Sequence, residues 1–303
     1  MGVLLARYLQ ERPDEELERS LDAFVKFVRG QLLDEETGEV FNDAPRCQDW
    51  KRLYNYPWIC VLFLEVFRLK KDRWYLQAAF RIMKAYYRDG GSHFYAIAIP
   101  MRESVELFRE NGMEKEAGEL LGLFREHADR IAGLGKHYPA HEVKYEQSIV
   151  APAATYLCEL YHLTGEEKYR KAAREQLEVL ELFQGRQPDY HMYEVAIRHW
   201  DGYWFGKRAC YGDTFPHYWS ALTGVAFREA EKIEGCEAFA ARAEDALRGT
   251  LSLFFEDGSA SCACVYPLSV NGRPGDYFDP WANDQDWGLY FYLKYACRKG
   301  SQG

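Results

Sequence analysis

The chain has 303 residues, 48% hydrophobic and 28% charged, enough to bury a sizeable core. A net charge of −9 argues against nucleic acid or an anionic membrane surface as a partner. No stretch approaches the roughly 20 apolar residues of a spanning helix, and the apolar run after Met1 is too short for a signal peptide. The eight cysteines are scattered except for Cys262-Ala-Cys264, which lacks a second pair to complete a zinc set. Reduced thiols in a cytoplasmic protein without a metal are therefore expected.

Apolar residues recur at three- and four-residue spacing, as in Leu17, Leu21, Phe24, Val25, Phe27 and Val28. On that pattern helices are expected at about 14–32, 53–69, 73–88, 95–110, 114–133, 146–163, 166–183, 215–234, 236–254 and 284–297. Asp72, Thr164 and Asp213 or Thr214 stand where N-caps belong. Strand signals are nearly absent; only 262–267 reads as a short extended piece.

One helix–turn–helix pattern recurs. Glu65-Val66-Phe67-Arg68-Leu69-Lys70-Lys71-Asp72-Arg73-Trp74-Tyr75, followed by Ala78-Ala79, returns as Glu159-Leu160-Tyr161-His162-Leu163-Thr164-Gly165-Glu166-Glu167-Lys168-Tyr169 with Ala172-Ala173. Looser copies begin at Glu229 and Glu106. Gly suits the left-handed residue past a helix end, and the small Ala residues admit a close second helix, so the unit is an αα-hairpin. The fold class is thus all-α. No Pro- or Ser-rich linker divides the chain, so a single domain over 1–303 is expected.

The connections at 33–52, 134–145, 184–214 and 255–283 are longer than hairpin turns need, and long ordered loops are often functional. They, or the helix starts beside them, hold four aromatic and polar clusters. The first contains Asp49, Trp50, Tyr54 and Trp58; the second His141, Tyr145 and Glu146. The third contains His191, Tyr193, Arg198, His199, Trp200, Asp201, Trp204, Lys207, Arg208, Asp213, His217 and Trp219; the fourth Trp281, Asp284, Asp286 and Trp287. Seven of the eight Trp and, with His137 at the start of the second cluster, five of the eight His fall in these clusters. Aromatic faces stack on sugar C–H surfaces while carboxylates and amides pair with hydroxyls, so the expected partner is an oligosaccharide.

Glycoside hydrolysis needs two carboxyls, one protonated as acid and one acting as base or nucleophile. Glu146 and Asp213 stand where inner helices would start, and a helix N-terminus favours the ionised form, which suits a base. Asp201, among Trp200, Tyr203 and Trp204, has the apolar setting that raises an acid's pKa. Arg198, Lys207 and Arg208 can hold a substrate carboxylate, which suggests a uronic acid; the alternative is that they pair with Asp189, Glu194 and Asp213. A lyase would need a Tyr or His base and a group neutralising the uronate, for which Tyr145, His141, Tyr193 and His191 are available.

The hairpin ending in Leu163-Thr164-Gly165-Glu166-Glu167-Lys168-Tyr169, with aromatic and acidic loops between hairpins, resembles the six-hairpin glycosidases, among them unsaturated glucuronyl hydrolases and bacterial β-glucuronidases. The likeness spans about residues 14–297. It implies an (α/α)6 toroid, a sugar cleft at the mouth of the ring, acid–base catalysis by Asp or Glu, and no cofactor. Sugar epimerases and α/α-toroid polysaccharide lyases share the same hairpins. A six-hairpin ring takes about twelve helices, and the sequence shows about ten.

The expected function is therefore a glycoside hydrolase acting on uronic-acid-containing oligosaccharides, with Glu146, Asp201 and Asp213 as its catalytic candidates. A lyase or epimerase on the same scaffold is the alternative. A non-catalytic helical-repeat interaction protein is the rival from another class, and irregular repeat spacing with long aromatic loops argues against it. Oligomeric state, a homodimer included, is left open.

Overall fold

The structure, a computed structural model, describes residues 1–49, 51–95, 98–142, 147–182, 203–204, 208–209, 213–217, 219–261, 263–266, 269–270, 272–274 and 286–296. Among these residues eleven α-helices account for most of the chain. They fall into two compact units: Met1–Gly135 with Glu159–Arg170, and Lys136–Cys158 with Lys171–Gly303.

The first unit opens on α1 (Gly2–Leu9), a helix absent from the expected set because eight residues are too few for a clear period. It packs on α3 (Asn55–Lys70), and Gln10 just beyond it bonds the Glu65 carboxylate at 2.8 Å. α2 (Glu15–Phe27) is capped by Asp14, whose side chain accepts from the backbone N–H groups of Glu16 and Leu17. Leu21, Val25 and Val28 of its apolar stripe are buried, whereas Phe24 and Phe27 stay exposed.

Apolar residues all round α3 bury ten of its side chains, while its partner α4 (Arg73–Arg88) is amphipathic and shows its polar face to solvent. Between them Lys71 takes the left-handed conformation, and Asp72 caps α4 through Trp74 N at 2.9 Å, as expected. α5 (Met101–Glu110) and α6 (Glu114–Leu134) form the next hairpin. α5 starts six residues later than the expected 95, because Pro100 disfavours helical geometry in the residue before it.

His127 of α6 is held between two groups of the same unit: its Nδ1 lies 3.2 Å from the Tyr87 hydroxyl and its Nε2 2.9 Å from the Phe94 carbonyl. Burial pushes its pKa down to about 4, against the opposing pull of the Phe94 carbonyl. The unfolded chain takes up this proton near the ordinary His value of about 6.5, whereas the folded state resists until about 4. Stability is therefore expected to be complete above pH 6.5 and to fall by roughly 3 kcal/mol on going down to pH 4. Urea unfolding of His127→Gln between those pH values should lack that part of the slope.

α7 (Gln147–Thr164) and α8 (Glu167–Glu181) form the third hairpin, with Gly165 between them. Thr164 ends α7 rather than starting α8, although its hydroxyl does accept from Glu166 N at 3.2 Å. The hairpin tip belongs to the first unit: Tyr169 donates to Asp129 at 2.9 Å, and Glu159 accepts from Arg102 N at 3.0 Å.

The second unit is centred on α9 (Ser220–Glu234) and α10 (Glu237–Gly249). Gly224 allows their close approach, since a β-carbon there would lie 2.7 Å from the Leu247 side chain. α11 (Asp286–Tyr295) packs on α9, and the buried Arg228 donates to its Tyr295 carbonyl at 3.1 Å, satisfying an end group the helix cannot pair itself. Among the described residues, short strands occur in the second unit: β1 (Tyr203–Trp204) with β2 (Arg208–Ala209), β3 (Asp213–His217) with β4 (Ala263–Tyr266), and β5 (Ser269–Val270) with β6 (Arg273–Pro274). β4 matches the extended piece expected at 262–267.

Candidate functional site

The helix expected from 215 begins at Ser220, because 213–217 is a strand paired antiparallel with 263–266. Asp213 thus opens a strand opposite Tyr266, and the helix-dipole argument for it as a base does not hold. The pairing ties two long connections, 184–214 and 255–283, directly to each other. Trp204 faces Arg208 in the register of β1 and β2. Trp50, Tyr145, Glu146, His191, Tyr193, Arg198, His199, Trp200, Asp201, Lys207, Trp281 and Asp284 lie outside the described residues.

His217 ends β3 opposite Ala263, and the remaining expected site residues stand in the loops before helices or in their first turns. Asp49 is exposed, Tyr54 precedes α3 and meets Phe94 edge-on at 4.6 Å, and Trp58 lies 5.8 Å from the Arg52 guanidinium. His141 is exposed, with Nε2 3.7 Å from the buried carboxylate of Glu142. Trp219 precedes α9. Asp286 and Trp287 open α11, where the Trp287 ring packs against Tyr290 and Phe291 at 5.5 and 5.6 Å and so serves the core as well.

Two polar clusters join residues that no local sequence pattern marks. In the first unit Asp89, just past α4, accepts from the Tyr56 hydroxyl at 2.8 Å, from Lys51 at 2.8 Å and from Arg88 at 3.1 Å. Lys51 also reaches Glu39 at 3.3 Å. Burial alone would raise the Asp89 carboxyl, but the bonds from Arg88, Lys51 and Tyr56 outweigh it and hold its pKa below the ordinary carboxylate range. The cluster fixes the loop before α3, and with it Asp49, Tyr54 and Trp58.

Asp89→Ala takes the acceptor from the buried Tyr56 hydroxyl and leaves Lys51 with Glu39 alone, so urea unfolding at pH 7 is expected to show a loss of about 2–4 kcal/mol. Because the folded pKa is lowered, this stabilisation is present above the unfolded carboxylate pKa and disappears as pH falls through the folded value.

In the second unit the first turns of α7 and α9 meet. Gln147 and Thr223 are wholly buried, and the Thr223 hydroxyl donates to Gln147 Oε1 at 2.8 Å. In the same unit the buried Tyr138 donates to Gln176 of α8. Among the described residues no group of three or more His, Cys, Asp or Glu is placed to hold a metal, and no helix is long and apolar enough to cross a membrane.

No protein-family model matches the chain, and no curated protein does either. Solved structures do. A polysaccharide lyase is 43% identical over 96% of the chain with a TM-score of 0.89; the chain spans 43% of that protein, less than half its length. A GH127 β-L-arabinofuranosidase from Geobacillus stearothermophilus T6 is 16% identical, with 96% of this chain and 53% of that one covered and a TM-score of 0.67. A sugar epimerase from a ruminal bacterium is 14% identical, with 96% and 84% covered and a TM-score of 0.64. These likenesses establish the fold as the all-α, α/α-toroid class of repeated helical hairpins, as expected from the sequence.

Proposed function

We propose that the chain is a polysaccharide lyase of the α/α-toroid type, cleaving a uronic-acid-containing glycan by β-elimination. What supports this above all is the 43% identity to a polysaccharide lyase over 96% of the chain, well beyond the level at which only a fold is shared. Elimination therefore takes precedence over the hydrolysis expected from the loops alone.

The reaction needs few groups. A base takes the proton from C5 of the uronic residue, the released electron pair forms a C4–C5 double bond, and the C4–O bond breaks. The departing glycosidic oxygen takes a proton from an acid, and no water is consumed. The uronate carboxylate makes the C5 proton removable once donors offset its growing charge. His141, Tyr145, His191 and Tyr193 suit the proton transfers, and Arg198, Lys207 and Arg208 suit the carboxylate. Trp50, Tyr54, Trp58, Trp200, Trp204 and Trp219 suit stacking on sugar faces.

The test follows ultraviolet absorbance while the chain is incubated with a panel of uronate polysaccharides. A rise from the unsaturated product on at least one of them is the expected result; no rise on any of them would remove the reading.

A further inference from the structure

Gln147 opens α7 and is wholly buried. Its Oε1 accepts from the Thr223 hydroxyl in the first turn of α9, but its amide nitrogen, equally buried, has no hydrogen-bond partner. An unpaired buried donor costs about 1–3 kcal/mol, and folded proteins retain few of them. A leucine of similar volume would avoid that cost but would strand the buried Thr223 hydroxyl, so the fold uses the amide's oxygen and leaves only its nitrogen over. A protein keeps such a group where function uses it.

The surroundings indicate what would meet it. α7 has 18 residues and α9 has 15, and the N-termini of both carry partial positive charge. Neither has an acidic residue in its first turn, although Glu146, outside the described residues, directly precedes α7. A buried N–H donor between two positive helix ends suits an oxygen acceptor, an anionic one best. We propose that Gln147 is a saccharide-binding residue whose amide donates to an oxygen of the bound anionic glycan, with Thr223 fixing the amide's orientation. This rests on the reading of the chain as a glycan-binding enzyme, and it adds a specificity residue that neither long loops nor charged side chains revealed.

Two variants test it, read by thermal melting, by affinity for oligogalacturonate and oligoglucuronate, and by turnover. Gln147→Leu exchanges the orphan amide for an unpaired Thr223 hydroxyl and should melt close to the parent chain, yet bind the oligosaccharide at least tenfold more weakly. Gln147→Glu keeps the acceptor for Thr223 and places a like charge against the ligand, so it too should bind at least tenfold more weakly. Parental affinity in either folded variant overturns the inference and leaves the lyase reading standing, the amide then being met by internal water. Parental binding that depends on Gln147 without elimination supports the inference and removes the lyase reading. No binding by the parent chain overturns both.

Discussion

Replacing the acid–base group among His141, Tyr145, His191 and Tyr193 is expected to lower kcat by about 10²–10⁴-fold with KM little changed. The variants are Tyr145→Phe, Tyr193→Phe, His141→Ala and His191→Ala, measured by the rise in unsaturated product. Elimination depends on a group that takes a proton from carbon, and a phenylalanine or alanine leaves nothing to take it. Glu146→Gln, Asp201→Asn and Asp213→Asn should each cost less than about tenfold, because elimination does not need the paired carboxyls of glycoside hydrolysis. Large losses in those carboxylate variants, with the four others near parental activity, would return the chemistry to hydrolysis. The two mechanisms thus predict opposite halves of one series.

Gly38→Ala is expected to be among the most damaging small substitutions in the first unit. Asp34 folds residues 34–39 into a tight turn by accepting from Glu36 N at 2.9 Å and Thr37 N at 3.0 Å, and Gly38 N donates back to the Asp34 carbonyl at 2.9 Å. Gly38 itself sits at φ +77, which side chains rarely adopt. A β-carbon there would collide with the Arg81 carbonyl and lie 2.7 Å from Ile82 N, backbone of α4 that has no room to move. Strained φ and the clash together point to a loss of about 3 kcal/mol or more in urea unfolding. The turn also delivers Glu39 to Lys51 and Gln48, so the damage should reach the loop carrying Asp49 and Tyr54. A variant with parental stability would mean that the turn does not rest on α4 in solution.

The helices were legible because their information is local. Leu21 and Val25 in α2, or the Asp72 cap of α4, announce themselves within a few residues, and the hairpin repeat carries the same signal along the chain. What was not legible depends on distant partners. Asp213 reads as a helix start until Ala263–Tyr266 pairs with its segment and makes it a strand. The Asp89 cluster joins residues 39, 51, 56, 88 and 89 from separate stretches, none of them conspicuous alone. Gln147 closes the second aromatic cluster and carries no local signal, since only the packing of α7 beside α9 leaves its amide nitrogen unpaired. The α1 helix is eight residues long, too short for periodicity to declare it.

The most direct test of the account is the mass of the product released from a uronate polysaccharide that the chain cleaves. Elimination predicts a new non-reducing end lighter by one water than the hydrolytic fragment, carrying a C4–C5 double bond, with no oxygen taken up from labelled water. A saturated fragment that incorporates one labelled oxygen would contradict it.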